Sequence, residues 1–158
     1  KELTLKDCKL YQYPVPAIKD LRTEEQPFTA LAESKNSYEL ELDFAADIEH
    51  EIVLFADKDG KGLRINFDLK AGKVIVDRSQ AGEPFALDFG TSRSCNIDKE
   101  ATSATIFIDK SIFEIFINKG EKVFSGRVFP REDQTGIAIT KGNPTGTYYE
   151  LDYGRKAN

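Results

Sequence analysis

Polar and apolar positions alternate along most of this chain. Between residues 38 and 44, Tyr38, Leu40, Leu42 and Phe44 fall on one side, while Glu39, Glu41 and Asp43 fall on the other. Residues 63–69 repeat the pattern with Arg64, Asn66 and Asp68 as the polar positions, and residues 149–153 repeat it with Glu150 and Asp152. A period of two belongs to a β-strand with one buried and one wet face, because successive side chains leave the pleat on opposite sides. Shorter runs predict further strands at residues 3–6, 28–32, 52–56, 74–77, 92–96, 104–109, 112–118, 122–129 and 137–140. Turn chemistry separates them at residues 57–62, at Ala71-Gly72, at Asn118-Lys119-Gly120 and at Gly142-Asn143-Pro144. Only residues 21–26 leave room for a single helical turn. Many short strands without helices predict an all-β fold, a two-sheet antiparallel sandwich of the lectin-like kind.

Residues 1–26 are less regular. Tyr13-Pro14-Val15-Pro16 is held extended by proline sterics. This stretch predicts a connecting segment packed on the sandwich, with residues 27–158 forming the single sandwich domain. The strand at 112–118 is apolar on both faces. Phe113, Ile115 and Ile117 share the core face; Ile112, Glu114, Phe116 and Asn118 share the other. Neither face is then simply in water. Three readings stand open: a cover supplied by the chain's own loop, docking on another domain or subunit, or an aromatic platform for a sugar. Asp109, Glu114 and Arg127 are expected to join in a hydrogen-bonded charge set that fixes the strand ends, since half-buried charges need partners.

Composition narrows the function. The 158 residues carry 27 acids against 22 Lys and Arg, a net charge of −5, with the bases scattered. That disfavours nucleic acid as a partner. No apolar run approaches the roughly 18 residues that cross a bilayer, and the start lacks the basic-then-apolar layout of a signal peptide. Cys8 and Cys95 are expected to be buried free thiols, which leans towards the cytoplasm. The chain contains no Met and begins with Lys, which predicts a piece of a longer polypeptide.

Candidate chemistry is sparse. Hydrolysis of a glycosidic bond needs two flanking carboxyl groups, but the acids here lie on wet strand faces. The single histidine, His50, is expected in an exposed loop. The Asp57–Gly62 loop reads as a hairpin turn rather than a calcium site, because Lys61 occupies a ligand position. No catalytic residue, metal or cofactor is expected.

One stretch carries a family pattern: Asp109-Lys110-Ser111, then Ile112, Glu114, Phe116, Asn118, Gly120, Ser125, Arg127 and Pro130. Together with Asp77-Arg78-Ser79, Gly82 and Thr91-Ser92-Arg93, it resembles the C-terminal β-sandwich of glycoside hydrolase family 32, the fructose-releasing glycosidases. Lys110 stands where Arg is frequent in the family, and Gly126 separates Ser125 from Arg127. The resemblance implies a non-catalytic accessory domain of a β-fructofuranosidase acting on sucrose or sucrose 6-phosphate. It implies an N-terminal catalytic β-propeller as partner, retaining hydrolysis there, no cofactor, and room for a homodimer. The propeller's Asn-Asp-Pro-Asn-Gly, Arg-Asp-Pro and Glu-Cys motifs do not occur in this chain; Gly142-Asn-Pro-Thr-Gly146 lacks the nucleophilic Asp. The alternative is a carbohydrate-binding module for fructans or sucrose, with Tyr11, Tyr13, Tyr148 and Phe116 as platform candidates.

Overall fold

The computed structural model describes residues 1–100 and 102–152. The strands, in chain order, are β1 (Glu2–Lys6), β2 (Lys9–Tyr13), β3 (Arg22–Pro27), β4 (Ser37–Phe44), β5 (Glu49–Ala56), β6 (Leu63–Asp68) and β7 (Lys73–Asp77). They continue with β8 (Ser92–Asn96), β9 (Thr102–Asp109), β10 (Ile112–Ile117), β11 (Lys122–Arg127), β12 (Gly136–Lys141) and β13 (Thr145–Leu151). One sheet runs β11-β10-β9-β4-β13-β3 and the other β12-β5-β6-β7-β8, while β1 and β2 form a separate hairpin. Every strand pair is antiparallel.

The alternation explains the sandwich. Tyr38, Leu40, Leu42 and Phe44 of β4 face Ile52 and Leu54 of β5 and Leu63, Ile65 and Phe67 of β6, all essentially without solvent exposure. Phe44 and Phe67 stack across the two sheets with ring centroids 3.9 Å apart. Burying such side chains contributes about 1.5–3 kcal/mol each before the entropy of ordering them. The expected core face of β10 holds, with Phe113, Ile115 and Ile117 inside.

Several expectations shift. Residues 21–26 are not helical; β3 pairs with β13, and the short 3-10 turn lies earlier, at Pro16–Leu21. Pro16 has no N–H to lose at a helix start, which sets the turn there. β2 was absent from the predicted strands. Residues 28–32 make no strand: Leu31 forms only an isolated bridge with Ile137. Tyr153 lies outside the described residues.

His50 is fully buried within β5 rather than exposed in a loop. Its Nε2 lies 3.1 Å from the Ala45 carbonyl, and Nδ1 accepts from the Asn143 N–H at 3.3 Å. With both ring nitrogens partnered, the ring is tolerated in the core. Cys8, expected inside, is exposed in the β1–β2 turn, and Cys95 is half-buried; neither is paired.

Candidate interaction surface

The outer face of the six-stranded sheet is covered by the chain's own N-terminal segment. Phe107 and Phe116 project outward from β9 and β10 and are shut off by Tyr13, Ile18, Leu21 and Val123. Phe116 has no solvent exposure. Its ring meets Tyr13 edge-on at 5.7 Å and Phe107 at 6.1 Å. The Tyr13 hydroxyl lies 2.8 Å from the Thr105 hydroxyl. Further along the face, Arg22 bridges Glu39 and Glu41 at 2.7 Å each and lies over the Tyr149 ring, 3.8 Å from its centroid. Hydrogen bonding to Glu39 leads in raising the guanidinium above its ordinary pKa, against the cost of burial.

The signature residues mostly secure this arrangement. The Asn118 carboxamide oxygen accepts from the Ser103 N–H at 3.1 Å, and the Asn118 N–H donates to the Ser103 carbonyl at 2.9 Å. Asn118 and Lys119 both take left-handed backbone angles, as a tight hairpin requires. Gly120 has φ +94°, and a Cβ there would lie 1.9 Å from the Gln12 carbonyl oxygen. The Gln12 N–H donates to the Gly120 carbonyl at 3.1 Å, so β2 docks directly on this turn. The Ser111 carbonyl accepts from Val128 at 2.8 Å. Pro130 follows Phe129, whose carbonyl accepts from Glu83 at 2.9 Å.

The expected charge set does not assemble. Asp109 accepts from the Ser37 hydroxyl at 3.0 Å. Glu114 takes Lys1 at 2.6 Å and the Ser125 hydroxyl at 3.1 Å. The Arg127 guanidinium lies 5.9 Å from the Phe129 ring centre. The three side chains leave one face of the sheet yet serve three separate contacts. Of the four aromatics weighed as a sugar platform, Phe116 and Tyr148 are buried, and Tyr148 is stacked on Tyr38.

The β1–β2 hairpin was missed as a surface. It is two-faced. Tyr13 and Lys9 turn towards the sandwich, where Lys9 pairs with Glu121 at 3.0 Å. Leu3, Leu5 and Leu10 share the opposite face and are 66, 75 and 54% exposed. The alternation of Leu3 and Leu5 with Thr4 in β1 was the available signal.

These features define a class: an antiparallel β-sandwich whose one sheet is roofed by its own N-terminal segment and whose roof is apolar on the outside. Residues 15–153 match the C-terminal family of glycosyl hydrolases family 32. A sucrose-6-phosphate hydrolase of Streptococcus mutans is 58% identical over 153 residues, covering 97% of this chain and 32% of that protein. One from Lactococcus lactis is 38% identical, covering 87% of this chain and 28% of its own length. The structure of sucrose-6-phosphate hydrolase from Lactobacillus gasseri superposes with a TM-score of 0.90 at 34% identity, over 95% of this chain and 32% of that one. The chain therefore spans about a third of the length of these relatives. It belongs to glycosyl hydrolases family 32, as the C-terminal part of that family.

Proposed function

We propose that this chain is the non-catalytic accessory sandwich of a fructose-releasing glycosidase of the sucrose or sucrose-6-phosphate hydrolase type. Its role is to stabilise an N-terminal catalytic β-propeller. The observation that carries this is the outward face of the β1–β2 hairpin. A strand pair that already docks by Tyr13 and Lys9 gains nothing from presenting Leu3, Leu5 and Leu10 to water. A contiguous apolar patch of this kind marks a contact surface. It lies at the amino-terminal side of a domain that matches a C-terminal family, where the preceding part of such an enzyme attaches. Ile112, 41% exposed, is the remaining signature residue suited to a contact, including one with a second copy. The exposed free thiol of Cys8 agrees with a reducing compartment, the cytoplasm.

The test is a triple variant, Leu3→Ser, Leu5→Ser and Leu10→Ser. In this chain alone the melting temperature should stay unchanged, because these side chains are already wet. In the full-length polypeptide it should fall, by about 1–2 °C for each kcal/mol of lost contact, since a larger cooperative unit shifts less. An unchanged melt in the full-length protein contradicts the reading. Glucose release by this chain alone from sucrose or sucrose 6-phosphate contradicts the non-catalytic assignment.

A further inference from the structure

At the open edge of the sandwich, where β8 and β11 leave the two sheets unpaired, the inner faces part around a cavity of about 210 Å³. Its lining includes Arg78, Arg93 and Arg127, with Phe85, Phe89 and Phe124 among the walls, and no carboxylate. Among the described residues none of these three arginines forms an ion pair. In a chain of net charge −5, three uncompensated guanidinium groups around one cavity are out of keeping with the rest of the surface.

Backbone carbonyls hold two of them in place. Arg78 donates to Phe85 at 2.9 Å, Ala86 at 3.2 Å and Gly90 at 3.1 Å. Arg93 donates to Ser92 at 2.7 Å and Phe89 at 2.6 Å. A guanidinium has five N–H donors, so both keep donors free while their positions are fixed in advance. The walls are fixed too. Arg78 lies over the Phe85 ring at 4.4 Å, Phe85 meets Phe129 edge-on at 4.9 Å, and Arg127 lies by Phe129 at 5.9 Å. The floor depends on Gly126: a Cβ there would sit 2.4 Å from the Phe113 ring. Phe89, 76% exposed, stands at the rim as an uncovered ring.

We propose that this mouth between the sheets binds a phosphate monoester on a compact ring, such as a hexose phosphate. Guanidinium forks match phosphate oxygens in geometry and charge. The aromatic walls suit the less polar face of a ring behind the phosphate. At about 30 Å³ per water the cavity holds about seven waters, the scale of a single small ligand. The site does not depend on the accessory role.

Calorimetric titration with inorganic phosphate, glucose 6-phosphate and glucose tests it, on this chain and on the full-length polypeptide. Glucose 6-phosphate should bind with a Kd of about 1 mM or tighter, phosphate about tenfold more weakly, and glucose not at all. Arg127→Ala and Arg93→Ala should each weaken glucose 6-phosphate about tenfold. The melting temperature should hold for Arg127→Ala, and Arg93→Lys should recover part of the loss at its position. Absence of saturable binding at about 10 mM by the folded protein would overturn the proposal. So would equal binding by the arginine variants. Binding to this chain that vanishes in the full-length protein also overturns it, because the mouth is then covered by polypeptide.

Discussion

Tyr13 meets Phe116 edge to face, 5.7 Å between centroids and 73° between planes, and this contact closes the outer face of β10. An aromatic on the wrong face of a strand thereby becomes the centre of a second small core with Phe107 and Leu151. Tyr13→Ala removes the ring contact and the Thr105 hydrogen bond, and should cost about 2–3 kcal/mol. Tyr13→Phe keeps the ring and should cost about 1 kcal/mol. Urea denaturation measures both; equal losses would mean that the hydroxyl, not the ring, holds the hairpin.

Arg22 carries the other end of the roof. Glu39 is 1% exposed, so Arg22→Ala leaves a buried carboxylate without its cation. The expected loss is about 3 kcal/mol, and Arg22→Lys should restore little of it, since lysine cannot fork between two carboxylates or stack on Tyr149. A loss under about 0.5 kcal/mol would class the bridge with ordinary surface pairs.

Gly120→Ala should act locally. The new methyl group collides with the Gln12 carbonyl and the positive φ disfavours it. Amide exchange in residues 2–13 should quicken, while β4 and β9 keep their protection. Uniform loss of protection across the sandwich would contradict a role confined to docking.

Acid should weaken the five-stranded sheet through Glu51. Burial alone would raise this carboxyl, but hydrogen bonds from Thr140, Asn66 and Arg64 together outweigh it and hold the group below its ordinary range. A depressed folded-state pKa adds stability that is complete above the unfolded value of about 4.3 and is lost as pH falls through the folded one. The stability gap between the native chain and Glu51→Gln, measured from pH 7 to pH 3, should therefore close below about pH 4.3. A gap independent of pH would show that the lost interaction does not involve the ionised form.

The sandwich was legible because β4 and β6 obey a period of two over six or more residues, and the unbroken apolar set Phe113, Ile115 and Ile117 marked the core face of β10. The roof was not. Lys9–Tyr13 has too few apolar positions to reveal a strand, and whether Phe116 is wet depends on Tyr13, about a hundred residues away. His50 misled because its neighbours are acidic, while its burial depends on the Ala45 carbonyl and the Asn143 N–H. The arginine mouth was hidden for a related reason: Arg78, Arg93 and Arg127 come from three separate segments that only the meeting of the two sheets brings together.

The strand order has a bearing on how the molecule is made. β13 lies between β4 and β3, so β3 finds its hydrogen-bonding neighbour only after residues 145–151 have been synthesised. The amino-terminal roof, synthesised before the other strands of this domain, is among the last parts to settle. Until then the outward Phe107 and Phe116 have no cover from it, an interval in which a nascent chain is open to aggregation.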